Sequence, residues 1–335
     1  MRLRRADLAT PGIRRRRRGR GFGYLTPDGE SLKDGETIER INALAIPPAW
    51  RRVWISPHEN AHIQAVGIDD AGRKQYLYHP EWRRARDEEK HDRVLALARK
   101  LPKLRETVQE DLDSRGLKRE RVLAGALRMI DLGVFRTGGE SYADEHGTHG
   151  VATLLCEHVE LRGECLVCDY PAKHGIQRKV RLRDEALVRL VRSLRRVRGG
   201  EVRLLAYRDG DGWHEVKADD INDRLREIVG DGFTAKDLRT WNATVLAASA
   251  FAGLEKPSSQ RGLKRVEKTV MTEVAEGLGN TPAVARRSYV DPRVVTAYHE
   301  DRTIARAARK AEKVADPNEA RDIVERAVVR LLNGS

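Results

Sequence analysis

The apolar positions change period near residue 83. Between Arg51 and His79 they fall in short runs, Val53-Trp54-Ile55, Ala61 to Val66 and Gln75 to Tyr78, separated by Pro57, Gly67 and the turn Asp69-Asp70-Ala71-Gly72. Brief runs bounded by turn residues predict strands. Past Trp82 comes a charged run, Arg83 to Arg93, and then Val94, Leu97, Leu101, Leu104, Val108 and Leu112 recur at steps of three and four. Those steps put them on one face of a helix, which Pro102 should kink or split. The remainder reads as mainly helical. One strand cluster interrupts it at His158 to Leu161, Cys165 to Tyr170 and Arg178 to Leu182, with Val202 to Tyr207 as a possible fourth member. The expected fold class is α+β, and 335 residues are more than one core usually organises. Three segments are expected: a basic, flexible arm over 1–20, a small β-rich domain over 21–88, and a larger, mainly α-helical domain with a short β-sheet or hairpin over 89–335.

Charge then points to a partner. Lysine and arginine outnumber the acids by 64 to 51, a net charge of +13 that favours a polyanion. Nine arginines and one acid, Asp7, lie in the first 20 residues, so the excess is concentrated there. Mean hydropathy is −0.61, and no apolar run approaches the roughly 18 residues that cross a bilayer, so no membrane span is expected. Cys156, Cys165 and Cys168 cannot all pair, and no secretory signal follows Met1. A cytoplasmic location without disulfides is the expectation. Cys165 and Cys168 lie three apart on a predicted strand, where their side chains diverge. His146 and His149 flank Gly147 without acidic or cysteine partners. No metal site is assigned.

Two stretches carry chemistry. Thr234 followed by Asp237 is a capping-box pattern opening a helix that runs into Val245-Leu-Ala-Ala-Ser-Ala-Phe251, so Arg239 sits early in a buried helix. A cation there is unfavourable unless an anion meets it, either a structural carboxylate or a bound phosphate. Downstream, Leu278-Gly-Asn280-Thr-Pro282 ends one helix at glycine and opens the next with a Thr281 cap and proline at its first position. The short second helix delivers Tyr289, nine residues after Asn280.

An arginine in Lys236-Asp-Leu-Arg239, an interval of about forty residues, Leu-Gly-Asn-Thr-Pro and then a tyrosine resembles the C-terminal layout of type IB DNA topoisomerases in their compact poxvirus and bacterial form. Gly133-Val-Phe-Arg136-Thr-Gly138 is similar to that family's first arginine segment, and Asp169-Tyr-Pro-Ala-Lys173-His-Gly to its lysine hairpin. Ile46-Pro-Pro-Ala-Trp50 and Gly72-Arg-Lys-Gln75-Tyr76-Leu-Tyr78-His-Pro look like its small domain.

The resemblance implies relaxation of positive and negative supercoils without ATP, metal or cofactor. Tyr289 would be the nucleophile and form a 3′-phosphotyrosyl link. Arg136 and Arg239 would be forked phosphate ligands, Asn280 a neutral donor and Lys173 the general acid to the departing 5′ oxygen. Many members carry histidine where Asn280 stands, and asparagine can donate a hydrogen bond but cannot move a proton. The N-terminal domain would clamp double-stranded DNA, with Gln75, Tyr76, Tyr78 and Tyr142 as DNA-binding residues. The resemblance further implies a monomer, working in the cytoplasm on nucleoid DNA. Tyrosine recombinases share the catalytic set but generally place histidine three residues before the second arginine, where this chain has Lys236. A non-enzymatic basic DNA-binding protein would need only the charged segments.

Overall fold

The computed structural model describes residues 2–19, 21–133, 135–198, 203–210 and 212–334, with the side chains of Ser141, Tyr142 and His174 outside the described set. The chain divides into two compact units, Met1–Lys90 and His91–Ser335.

In the first unit β1 (Ile13–Arg18), β2 (Gly21–Leu25), β3 (Arg51–Ile55), β4 (Ile63–Ile68) and β5 (Lys74–Tyr78) form an antiparallel sheet in the order β2-β1-β3-β4-β5. Helix α1 (Gly35–Ala43) starts at Asp34, whose carboxylate accepts from Thr37 N–H at 3.0 Å. It contributes Ile41 to a small core with Ile13, Val53, Ile55 and Ala65.

The expected flexible arm is corrected here, because Ile13–Arg18 is a strand inside the sheet. Ile13 is buried, and β1 pairs on both sides, with β2 and β3. Arg15 donates to the carbonyls of Ile46 (3.1 Å), Pro47 (3.0 Å) and Trp50 (2.6 Å), and its guanidinium stacks 4.1 Å from the Phe22 ring centroid. An arginine run lacks the apolar alternation that signals a strand; ladder bonds and this forked contact supply the stabilisation instead.

The division between the units falls inside α2 (Pro80–Ala98). The second unit continues through α3 (Leu101–Asp113), α4 (Arg119–Gly133) and α5 (Glu140–His146) to β6 (Val159–Arg162), β7 (Cys165–Ala172) and β8 (Ile176–Arg183). After these come α6 (Glu185–Arg198), β9 (Ala206–Asp209), β10 (Gly212–Glu215), α7 (Ala218–Val229), α8 (Ala235–Ala252), α9 (Gln260–Leu278), α10 (Pro282–Ser288), α11 (Pro292–His299), α12 (Ala305–Ala311) and α13 (Pro317–Leu332). The apolar stripe from Val94 to Leu112 is buried and shared by α2 and α3; the break falls at Arg99 and Lys100, with Pro102 in the first turn of α3.

Strands β6, β7 and β8 form an antiparallel sheet. The possible fourth strand does not join it. Val202 lies outside the described residues, Arg203 makes an isolated bridge to Leu155, and β9 pairs with β10 as a separate hairpin. Cys165 and Cys168 are both buried on β7, and burial pushes the Cys168 thiol up to about 12. Helix α8 runs through the core with Trp241 and Phe251 enclosed. Among the described residues no helix is long and apolar enough to cross a membrane, and no cluster of metal-ligating side chains occurs.

Candidate active site

The site is built around the end of α9. Gly279 closes that helix in a left-handed conformation (φ 61°, ψ 53°), with Asn280 N–H bonded to Ala275 O at 2.9 Å and Gly279 N–H to Glu276 O at 3.1 Å. This is a Schellman closure, and a side chain at 279 would be strained in φ and crowd Arg178 Nη1 at 3.1 Å. The carbonyls left at the helix end gather three guanidinium groups. Arg178 donates to Gly277 O (2.7 Å) and Leu278 O (2.6 Å), Arg239 to Leu278 O (3.1 Å), and Arg136 to Gly279 O (3.2 Å) and to the side-chain oxygen of Asn280. The negative end of a helix dipole favours cations there.

These arginines keep unused donors. Among the described residues no carboxylate pairs with Arg136, Arg178 or Arg239, and Arg239 Nε, Arg239 Nη1 and Asn280 Nδ2 are buried without a hydrogen-bond partner. Burial, with the nearby charge of Arg136, pushes Arg239 down to about 10. Buried cations with vacant donors are costly unless an anion fills the space.

Tyr289 stands beside them, its ring centroid 5.5 Å from the Arg239 guanidinium carbon. Thr281 caps α10 by accepting from Val284 N–H at 3.4 Å, and Tyr289 ends that helix with its N–H on Ala285 O at 3.0 Å. Thr244 of α8 pins the next residues, its hydroxyl accepting from Asp291 N–H at 3.2 Å. Burial opposes ionisation of the half-buried phenol, but the positive charges of Arg239, Arg136 and Lys236 outweigh it, so its pKa lies below the ordinary value. The capping box at the start of α8 forms through its carboxylate: Asp237 accepts from Thr234 N–H at 2.9 Å and from the Thr234 hydroxyl at 3.0 Å, and is held by Arg93 at 2.9 Å.

Residues 79–315 match the family model for the eukaryotic DNA topoisomerase I catalytic core, and residues 21–69 match that for the bacterial DNA topoisomerase IB N-terminal domain. The chain belongs to the type IB DNA topoisomerases. It is 29% identical over 285 residues to DNA topoisomerase 1B of Acanthamoeba polyphaga mimivirus, covering 83% of this chain and 85% of that one. Identity to DNA topoisomerase 1B of vaccinia virus (strain Copenhagen) is 24% over 232 residues, 67% of this chain and 69% of that one. Among solved structures, XerH site-specific recombinase bound to palindromic difH substrate aligns over 60% of this chain and 49% of its own, at 16% identity and a TM-score of 0.38.

Of the residues that the sequence of this topoisomerase singled out, Arg136, Arg239, Asn280 and Tyr289 come together. Lys173 is on the exposed turn between β7 and β8. That hairpin is tied to the Arg136 segment through residues 149–152: His149 N–H bonds Pro171 O at 2.8 Å, Val151 N–H bonds Arg136 O at 2.9 Å, and Ala152 N–H bonds Thr137 O at 2.7 Å. In the N-terminal unit the Gln75 amide is engaged with Asp69 at 2.9 Å, while Tyr76 and Tyr78 stack with centroids 6.0 Å apart. Tyr142 belongs to α5, and its side chain lies outside the described residues.

Two site residues escaped the sequence reading. Arg178 looked like one more basic position on a strand, yet it is buried and also bonds Gly133 O at 3.0 Å, so it braces the ends of both α4 and α9. Lys236, standing where tyrosine recombinases generally place histidine, lies one turn before Arg239, and its charge acts on Tyr289.

Proposed function

We propose that Tyr289 is the nucleophile through which this topoisomerase opens one strand of double-stranded DNA. The phenolic oxygen attacks a backbone phosphorus, the bond to the 5′ oxygen breaks, and a 3′-phosphotyrosyl link holds the broken end. Arg136 and Arg239 meet the non-bridging oxygens, for which a planar fork of donors suits phosphate geometry, and Asn280 adds a neutral donor. Lys173 gives a proton to the departing 5′ oxygen, and the phenol proton leaves to solvent. The reverse attack by the 5′ hydroxyl restores the strand. Because the phosphotyrosine keeps the free energy of the broken bond, torsional strain alone drives rotation, and supercoils of either sign relax without ATP.

One observation carries this reading: buried donors on Arg239 and Asn280 without a partner, beside a phenol whose pKa is lowered by Arg239 and Arg136. Tyr76 and Tyr78, with Gln75 and Tyr142, are proposed to touch DNA. A monomer acting on nucleoid DNA in the cytoplasm goes with this scheme. The test is relaxation of supercoiled plasmid in EDTA without nucleotide, by wild type and Tyr289→Phe, together with denaturing-gel detection of a covalent adduct and assignment of the linked end. Wild-type relaxation with a 3′ adduct, both lost in Tyr289→Phe, is expected. A dependence on ATP, a 5′ link or an active Tyr289→Phe would overturn the assignment. Site-specific recombination without relaxation of ordinary plasmid would favour a recombinase.

A further inference from the structure

Helix α13 follows the residues matched by the catalytic-core model, yet one of its side chains bonds to both α4 and α8. Arg321 Nη1 donates to Asp131 Oδ2 at 3.0 Å. Its Nη2 lies 2.6 Å from Asp131 Oδ1, 3.1 Å from Asp131 O and 3.2 Å from Asn242 Oδ1. Asn242 Nδ2 donates in turn to Asp131 O at 2.9 Å. Asp131 is on α4, five residues before Arg136, and Asn242 is on α8, three residues after Arg239. A single guanidinium therefore bonds to α8, which carries Arg239, and to α4, which precedes Arg136 in the chain.

The surroundings make this joint stiff. Asp131 and Asn242 are buried. Arg105 of α3 reaches Asp131 Oδ2 at 3.0 Å and Glu325 at 2.8 Å, and Arg321 Nε reaches Glu325 at 2.9 Å. Buried ion networks of this kind contribute little net stability compared with apolar packing.

We propose that Arg321 is a positioning residue: by bridging Asp131 and Asn242 it sets the spacing of α4 and α8, and through them the separation of Arg136 and Arg239, without touching DNA. The proposal rests on reading those two arginines as ligands of one phosphate. Groups that must meet the same small anion tolerate little displacement, since a misplacement of about 1 Å can cost about 100-fold in rate. A lysine at 321 could neutralise Asp131 but lacks the planar fork that spans to Asn242.

The experiment measures single-turnover adduct formation, DNA affinity by fluorescence anisotropy and Tm for wild type, Arg321→Ala and Asn242→Ala, and repeats Arg321→Ala in an Arg239→Lys background. Arg321→Ala should slow adduct formation by about 10- to 100-fold with DNA affinity unchanged. In the Arg239→Lys background the same change should cost much less, because the group being positioned is already impaired. A wild-type rate in Arg321→Ala would overturn the proposal. So would a slowing that is fully additive with Arg239→Lys and tracks losses of affinity and Tm. Should Arg321→Ala not fold, Asn242→Ala carries the comparison, since Arg321 then keeps its bonds to Asp131; slowed cleavage with intact binding is expected, and a wild-type rate overturns the idea. If wild type itself forms no adduct, the functional reading falls and this proposal with it. A normal wild-type adduct with an unimpaired Arg321→Ala sinks this proposal alone.

Discussion

Arg136 donates to the side-chain oxygen of Asn280, and that bond decides which end of the amide is left for a ligand. With Oδ1 occupied, Nδ2 is the vacant donor. On the proposed mechanism, Asn280→Asp replaces it with a second acceptor facing the phosphate. Loss of one preorganised donor costs about 2.7–4 kcal/mol in the transition state, so Asn280→Ala should cleave about 100- to 1,000-fold more slowly, and Asn280→Asp more slowly still. Single-turnover adduct formation checks this; an Asn280→Asp variant as fast as wild type would refute the assigned orientation.

The phenol of Tyr289 should gain reactivity below its ordinary pKa near 10, because Arg239 and Arg136 stabilise the phenolate. Cleavage rate should rise with pH and level off below that value. Taking away the Arg239 charge removes stabilisation of the anion, which raises the pKa, so the rising limb in Arg239→Ala should move to higher pH. A pH–rate profile of both proteins reads the displacement, and a limb that stays put would show that Tyr289 ionisation does not govern the step.

Gly150 packs against the backbone of the Arg136 segment. A Cβ built there would lie 2.4 Å from Gly138 N and 2.6 Å from Arg136 O, and those neighbours are backbone. Gly150→Ala must push the segment away, and with it the guanidinium. We expect cleavage to fall by about tenfold or more, with a smaller change at Gly147, where a Cβ meets nothing but φ is positive. Equal cleavage by Gly150→Ala and wild type would count against tight coupling.

Arg15 and Arg17 share β1 but differ in work. Arg15 meets the carbonyls of the Ile46 to Trp50 loop, whereas Arg17 is exposed. Arg15→Ala should destabilise the N-terminal unit by about 1–3 kcal/mol and speed amide exchange around Trp50. Arg17→Ala should stay within about 0.5 kcal/mol. Urea titration with site-resolved hydrogen exchange separates them, and indistinguishable variants would defeat the claim.

Elements whose signal is local were legible in the chain. Pro102 ended up opening α3, Gly279 closed α9, Thr281 capped α10, and the stripe from Val94 to Leu112 was buried as its period required. The strand Ile13–Arg18 was hidden, because an unbroken arginine run has no alternation to read and its partner β3 comes from elsewhere in the chain.

By itself the order of residues determined the α+β class, since caps, breakers and apolar period act over a few neighbouring residues, while the family showed through the resemblance of its motifs. Tertiary structure decided which donors stay vacant. Arg239 loses one donor to Leu278, Asn280 gives its oxygen to Arg136, Arg178 braces two helix ends, and Arg321 spans from Asp131 to Asn242. Each is a bond between groups tens to hundreds of residues apart, and no local period or spacing encodes which buried arginine will have its donors taken up and which will keep them vacant.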